Sequence, residues 1–423
     1  MSIRQQKGLQ IAQRANITRQ GNLWLVPSQS GRGKYKVNLD SERPSCTCPD
    51  YDFRRDKCKH IFAVEFTVER QKTTTTTTDA SGNTTTTTTE TVKVTRKTYP
   101  QVWPAYNQAQ TQEKRLFLYL LNQLCQGVGS PAQLNGRPRF SLEDMIFAMA
   151  FKVYSTISTR RFMTDLRDAH GKGYVSQLPC YNSIINYFES EVLTPYLHML
   201  IEESALPLQA IEEDFAIDST GLSVGARQKW FDAKWGKVHV EFGDTSRRVE
   251  RQDWVKVHIC TGVKTNVITA VEVTDSHAGD SPQFPKLVED TAQNFAMRQV
   301  SGDKAYSSAD NLRAAVRNQA MPYIPFKAGT TGNHWKDKSG LWKQMFHFYS
   351  YNQEKFMQNY HKRSNVESTF SMIKAKFGDS LRSKTKTAQI NEALCKVLCH
   401  NIVVLIQSMF ELNLKPKFWS VAA

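Results

Sequence analysis

At 423 residues the chain is too long for one compact core and calls for two to three domains of the usual ~100 to 200 residues each. Its hydrophobic content of 40%, with 8 Trp, 15 Tyr and 22 Phe, excludes a globally disordered protein. Lys and Arg exceed Asp and Glu by 55 to 40, a formal charge of +15 that attracts polyanions and makes nucleic acid the expected partner.

The basic excess is densest at the start, where Met1 to Lys72 carries 14 basic against 7 acidic residues. The first residues, MSIRQQKGLQ, lack the apolar stretch of a secretion signal, and no run reaches the ~18 consecutive apolar residues of a membrane helix. A cytosolic protein without a membrane partner is expected. Trp24 to Val26 and Tyr35 to Leu39 alternate apolar and polar around Ser28-Gln-Ser-Gly-Arg-Gly33, which predicts a β-hairpin. Thr73 to Thr89, two threonine runs around Asp79-Ala-Ser-Gly-Asn83, cannot bury an apolar face and are expected to be a linker.

Between hairpin and linker lies Cys46-x-Cys48-x9-Cys58-x-His60. Three soft thiolates and an imidazole within fifteen residues are the donor set of a closed tetrahedral Zn²⁺ site, with Ile61 to Val68 continuing as a short helix. Four protein ligands leave no open position for substrate, so the metal would be structural and would staple a module too small to fold alone. The remaining cysteines, Cys125, Cys180, Cys260, Cys395 and Cys399, are scattered in apolar surroundings and are expected to be reduced. The order of the four ligands after a hairpin and before a helix resembles the SWIM zinc finger over roughly residues 20 to 70. That resemblance implies binding to DNA or to protein.

Helical patterns follow at Thr111 to Gln126, at Ser141 to Tyr154 behind a capping pair of Ser141 and Asp144, at Thr159 to Ala169, and at Tyr181 to Glu203. A helix-turn-helix fits within this block. Arg160, Arg161, Arg167 and Lys172 near its middle are expected either to meet phosphates or to form a solvated face. From Glu213 the pattern changes to strands at Phe215 to Ile217, Trp254 to Thr261, Val267 to Val273, Gln299 to Ser301 and Met321 to Pro325. Helices at Pro282 to Phe295 and Ser308 to Gln319 alternate with the later strands, an α/β layout.

The richest segment is Tyr360-His-Lys-Arg-Ser-Asn-Val-Glu-Ser-Thr-Phe-Ser-Met-Ile-Lys374. On one continuous helix, with ~100° per residue, Tyr360, Arg363, Glu367 and Lys374 fall at about 0°, 300°, 340° and 320°. Val366, Phe370, Ile373 and Phe377 fall at about 220° to 280°, an anchor face bordering that polar stripe. One carboxylate flanked by two cations and a phenol suits a hard metal beside phosphates. The spacing Tyr360-x2-Arg363-x3-Glu367-x6-Lys374 matches the Y-R-E-K signature, and the segment resembles DDE insertion-sequence transposases over roughly residues 210 to 410.

That family places one Asp on the first core strand and a second after the fourth; Phe215-Ala-Ile-Asp218-Ser-Thr and Val300-Ser-Gly-Asp303-Lys-Ala-Tyr306 supply them, the latter in place of the family's common Asp-Arg-Gly-Tyr. The resemblance implies an RNase H-like fold in which Asp218, Asp303 and Glu367 hold two Mg²⁺ or Mn²⁺ ions, with Tyr360, Arg363 and Lys374 positioning DNA phosphates. Only 63 residues separate Asp303 from Glu367, too few for the large β insertion of some relatives, so a hairpin intermediate stays an open question. Asp275, His277 and Asp280 precede Pro282 and are read as capping residues rather than metal ligands. Lys256 and His258 alternate on the second strand, and the sequence assigns them no role.

The expected organisation is α/β: a zinc-binding ββα module at 1–72, a linker at 73–100, a helical DNA-binding region at 101–206, and an RNase H-like catalytic domain at 207–423. The expected function is binding of a mobile element's terminal inverted repeats followed by metal-dependent cleavage and transfer into target DNA. A homodimer or larger assembly is expected, with Thr387 to Leu412 either its contact helix or an internal core helix. A non-catalytic DNA-binding regulator and an RNase H-like nuclease without strand transfer are the alternatives.

Overall fold

The structure, a computed structural model, describes residues 3–29, 33–39, 44–78, 84–94, 102–129, 135–136, 138–224, 254–334, 337 and 339–419. Two expected turn or loop segments, Ser30-Gly-Arg32 and Asp79 to Asn83, lie outside the described residues. The chain divides into two compact units, Met1–Gln101 and Val102–Ala423.

The first unit opens with α1 (Ile3–Arg14), which the sequence did not announce, because its residues are mostly polar and it buries Gly8 and Ile11 but little else among the described side chains. An antiparallel sheet follows in the order β1 (Thr18–Gln20), β2 (Leu23–Pro27), β3 (Lys34–Asn38) and β4 (Ser45–Cys46). The expected hairpin is β2 and β3, with Trp24 opposite Val37 and Val26 opposite Tyr35. Alternation sends Trp24, Val26 and Val37 inward against Ile61 and Val64 of α3 (Lys59–Thr67), and a short α2 (Pro49–Arg54) sits between. At Gly8 a Cβ would lie 2.6 Å from the Phe62 Cβ, so glycine is what lets α1 lie close against α3.

The threonine runs depart from the expected linker. β5 (Val68–Thr78) and β6 (Thr84–Val94) pair antiparallel from Val68 opposite Val94 to Thr78 opposite Thr84. Lack of an apolar face was the wrong criterion here. Threonine is β-branched and favours extended backbone, and the strands satisfy one another's backbone groups.

The second unit begins with helices α4 (Trp103–Cys125), α5 (Leu142–Ser155) and α6 (Thr159–Gly171). Ser141 caps α5 through its hydroxyl, which accepts from the Asp144 N–H as the sequence predicts. The single helix expected at Tyr181 to Glu203 is instead α7 (Tyr181–Phe188) and α8 (Leu193–Ala205). Asn391 stabilises the break by donating to the carbonyls of Phe188 and Ser190, a tertiary contact that local sequence does not reveal.

The sheet of this unit runs β11 (Met321–Tyr323), β10 (Gln299–Gly302), β7 (Asp214–Val224), β8 (Trp254–Gly262) and β9 (Ile268–Asp275), with β12 (Ser380–Leu381) also pairing with β7. β7, β8 and β9 form an antiparallel meander, whereas β10 is parallel to β7 and β11 to β10. The parallel strands are reached through α9 (Phe284–Asn294) and α10 (Ala309–Arg317). This mixed sheet with β7 at its centre is the RNase H-like fold.

Helices α11 (Leu341–Tyr351), α12 (Gln353–Tyr360), α13 (Ser364–Phe377) and α14 (Lys386–Glu411) complete the chain. Thr269 of β9 meets Thr291 of α9, while Thr261 of β8 meets Thr369 of α13, so α9 and α13 cover opposite faces of the sheet.

The α14 helix takes the second of the two readings of Thr387 to Leu412. By length and composition it could cross a membrane, but 78% of its apolar window is buried inside this unit. Asn401 at its centre donates to the carbonyls of Ile201 and Ile268 and accepts from the Ile268 N–H, tying α14 to α8 and β9. It is a core helix.

Next to Asn401, His400 places Nε2 2.9 Å from the Asn266 carbonyl. Burial pushes its imidazole down to about 4, although that carbonyl opposes the shift. The unfolded chain binds a proton at ~6.5 that the folded chain refuses, so this contribution to stability is complete above that pH and is lost as pH falls towards 4. We expect the unit to lose on the order of 3 kcal/mol through His400 over that interval. Urea unfolding of the full chain should show a shallower pH dependence for His400→Gln; an unchanged slope would remove His400 as its source.

Candidate active site and zinc-ligand cluster

In the first unit, pairing of Val37 with Cys46 fixes the first ligand on the sheet. Cys48 caps α2, its sulfur accepting from the Tyr51 N–H at 3.4 Å, and Cys58 and His60 sit at the start of α3. All four side chains are buried, and their ligand atoms lie within 4.8 Å of one another. His60 Nδ1 is 3.9 Å from both Cys46 Sγ and Cys58 Sγ. A tetrahedron with Zn–S bonds of ~2.3 Å has edges of roughly 3.8 Å, so the set fits zinc.

Cys46 donates towards Cys58, which pulls the Cys58 thiol down to about 4 and pushes Cys46 well up. One thiolate is therefore already favoured. His60 presents Nδ1 to the two sulfurs, its Nε2 is buried without a hydrogen-bond partner, and the Tyr35 ring packs 4.7 Å from the imidazole.

In the second unit the site is built on β7. Its pairing with β10 ends with Gly302 opposite Ile217, so the next residues, Asp218 and Asp303, emerge side by side. β12 joins that edge only at Ser223 and Val224, leaving the segment between open. Asp303 turns out of β10 into a short 3-10 turn, its Oδ1 accepting from the Ala305 N–H at 2.7 Å.

Alternation along β7 aims Asp218 and Thr220 at α13. Arg363 Nη1 donates to Asp218 Oδ2 at 2.6 Å and Nη2 to Glu367 Oε1 at 2.5 Å, while Lys374 Nζ donates to Thr220 Oγ1 at 2.6 Å. The Arg363 guanidinium also lies 5.8 Å from the centroid of the Tyr360 ring. The continuous helix expected from Tyr360 to Lys374 is interrupted by a 3-10 turn at His361–Arg363. The order of the polar stripe survives, because Tyr360 still reaches Arg363.

Burial is the main reason that the Asp218 pKa is raised; the charges of Asp303 and Glu367 add to it, and the Ser219 N–H and Arg363 oppose it. Asp218 therefore senses both of the other carboxylates. Among the described residues only the Cys46 set brings three or more ligand atoms within 4.8 Å, so the carboxylates have not closed around a common point. The physical reason is their like charge, which Arg363 partly neutralises by lying between two of them. Hard oxygen donors already bridged by a cation fit Mg²⁺ or Mn²⁺.

The sequence missed the reverse face of β7. Asp275 behaves as expected, capping a turn through the N–H groups of His277 and Ala278. Asp280, read as a capping residue, caps nothing; its Oδ1 accepts from Ser219 Oγ at 2.6 Å and pairs with Lys256 Nζ at 2.7 Å. His258 Nδ1 lies 3.5 Å from the same oxygen. The alternation of Lys256 and His258 was the visible signal, but their partner comes from a loop beyond β9. In the helical block, Arg160, Arg161, Arg167 and Lys172 are exposed on or next to α6, with Arg160 over the Tyr181 ring.

Asp218 and Asp303 thus stand at the ends of adjacent central strands, with Glu367 on the covering helix. Residues 210–402 match the transposase DDE domain family, and residues 35–69 match the SWIM zinc finger family. No curated protein matches the chain. Among solved structures, the cryo-EM structure of a piggyBac transposase synaptic complex with hairpin DNA is similar over 71% of this chain and 73% of that chain, at 10% identity and a TM-score of 0.34.

Proposed function

We propose that this protein binds the ends of a mobile DNA element, cuts them and joins them to target DNA, using Asp218, Asp303 and Glu367 as ligands for two Mg²⁺ or Mn²⁺ ions. The observation that carries this is the Arg363 guanidinium bridging Asp218 and Glu367 beside Asp303. It supports a site where acidic oxygens converge on positive charge. When bound, the two ions supply activation of the attacking oxygen and stabilisation of the leaving oxygen.

The chain's own groups do the rest. Asp218 and Asp303 project from neighbouring strands whose register fixes their separation, and α13 carries Glu367 on its first turn over the open edge of β7. Arg363 and Lys374 flank the carboxylates and hold the phosphates on either side of the scissile bond, while the Tyr360 ring backs the guanidinium. The zinc module folds around one Zn²⁺ held by Cys46, Cys48, Cys58 and His60 and adds a basic surface for DNA. The protein works on DNA inside the cell as a dimer or larger assembly, since two ends are handled together.

Arg363→Ala and Lys374→Ala are expected to keep Mn²⁺ binding but slow cleavage by about 10- to 100-fold, because phosphates held an ångström off line react poorly. Single-turnover cleavage of a duplex carrying the terminal sequence of the element, with Mn²⁺ binding measured in parallel, tests this. Wild-type cleavage rates in both variants would overturn the phosphate-holding role. If wild-type protein cuts a labelled end in Mg²⁺ but never joins it to a target, the protein is a nuclease, and if it binds without cutting it is a regulator.

A further inference from the structure

On the reverse face of β7, directly behind Asp218, four polar side chains meet where a sheet core is ordinarily apolar. Ser219 is opposite His258 in the β7–β8 register, and Lys256 lies two residues along the same face. Asp280 reaches in from the loop before α9 and takes the Ser219 hydroxyl at 2.6 Å and the Lys256 ammonium at 2.7 Å on one oxygen. We propose that Asp280 is a positioning residue that acts through Ser219 to fix the Asp218 carboxylate for its metal; this rests on the assignment of Asp218 as a metal ligand.

The chain of contacts is short. Ser219 donates its backbone N–H to Asp218 Oδ1 at 2.8 Å on one face and its hydroxyl to Asp280 on the other. With Oδ1 tied, Asp218 presents Oδ2 outward, the oxygen that Arg363 holds at 2.6 Å. Lys256 neutralises Asp280, so the second carboxylate steadies the first without adding to its repulsion.

Two further groups point to a built site rather than an incidental ion pair. His258 has a fully buried side chain whose Nδ1 lies 3.5 Å from Asp280 Oδ1, while its Nε2 is 2.9 Å from Thr274 Oγ1. The Tyr306 hydroxyl is likewise buried and interacts with Ser219, on a ring packed against Gly302 at the end of β10. Burying several polar groups in one place carries a desolvation cost that a fold built for stability alone avoids by using apolar residues.

The test is Mn²⁺ titration of the full chain, read by electron paramagnetic resonance, with single-turnover cleavage in parallel. Ser219→Ala and Asp280→Asn should each weaken Mn²⁺ binding by about 10- to 100-fold, the usual effect of losing a group that orients a metal ligand. Ser219→Thr, which keeps the hydroxyl, should restore it. The double variant should bind no more weakly than the weaker single, because both changes break one chain of contacts. Should Asp280→Asn fail to fold, Ser219→Ala and Ser219→Thr decide alone, since they leave the Asp280–Lys256 pair intact. Wild-type affinity in Ser219→Ala and Asp280→Asn, or additive losses in the double variant, would overturn the proposal. Asp218→Asn is the control: if it too binds Mn²⁺ normally, the metal-site assignment itself is what fails.

Discussion

Glu367→Gln is expected to bind element ends nearly as wild type does while cutting them at least about a thousandfold more slowly, a loss of about 4 kcal/mol of transition-state stabilisation. The amide keeps the shape of the side chain and its place on the first turn of α13, so packing through Val366, Phe370 and Ile373 is untouched. What it loses is the negative charge that holds a hard dication. Glu367 is 58% exposed and bonded to Arg363, so the substitution frees the guanidinium without opening a cavity. Asp218→Asn and Asp303→Asn should separate binding from chemistry in the same way. Gel-shift and cleavage measurements on one labelled end, compared across the three variants, check this; retention of the wild-type cutting rate by all three would remove these residues from the metal site.

Removing zinc, or replacing Cys58 by Ser, is expected to unfold the first unit. Its core is small, with Trp24, Val26, Val37, Ile61 and Val64 at its centre, and three buried sulfurs and an imidazole sit within that core. Without a metal these groups are buried polar atoms in mutual contact. With one, apparent binding free energies of ~10 to 16 kcal/mol, as in small zinc modules, become folding free energy. Cys46→Ser should behave alike. Metal analysis of the full chain should give one zinc per protein, and chelation should abolish the circular dichroism of the β1–β4 sheet and α3. The second unit should persist under the same treatment, because its core contains none of these ligands. Stoichiometric binding failing to appear, or folding surviving the substitutions, would contradict the closed site.

The parts of the molecule that were legible in the sequence are those set by local chemistry. Ser141 and Asp144 announced the start of α5, the alternation around Ser28 announced β2 and β3, and ligand spacing announced the buried Cys46, Cys48, Cys58 and His60 cluster. Phe215 to Ile217 ran into Asp218 as a buried strand would, and the stripe from Tyr360 to Lys374 set Arg363 beside Glu367. What escaped depends on contacts distant in sequence. The split between α7 and α8 is stabilised by Asn391, some two hundred residues away. α1 is recognisable only once Gly8 is seen against Phe62. Asp280 sits where a helix cap is the cheaper explanation, and only the folded sheet brings it to Ser219. The threonine runs were misjudged because low complexity was weighed above β propensity.

The measurement that tests the account most directly is strand joining. A duplex ending in the element's terminal sequence with a free 3′-hydroxyl is incubated with wild-type protein, Mg²⁺ and a circular target, and products covalently linked to the target are counted. The account predicts joined product with wild-type protein, none when Mg²⁺ is withheld, and none from Asp303→Asn despite normal binding of the end. Joined product formed equally well by Asp303→Asn, or end cleavage by wild-type protein that never yields joined product, would contradict it.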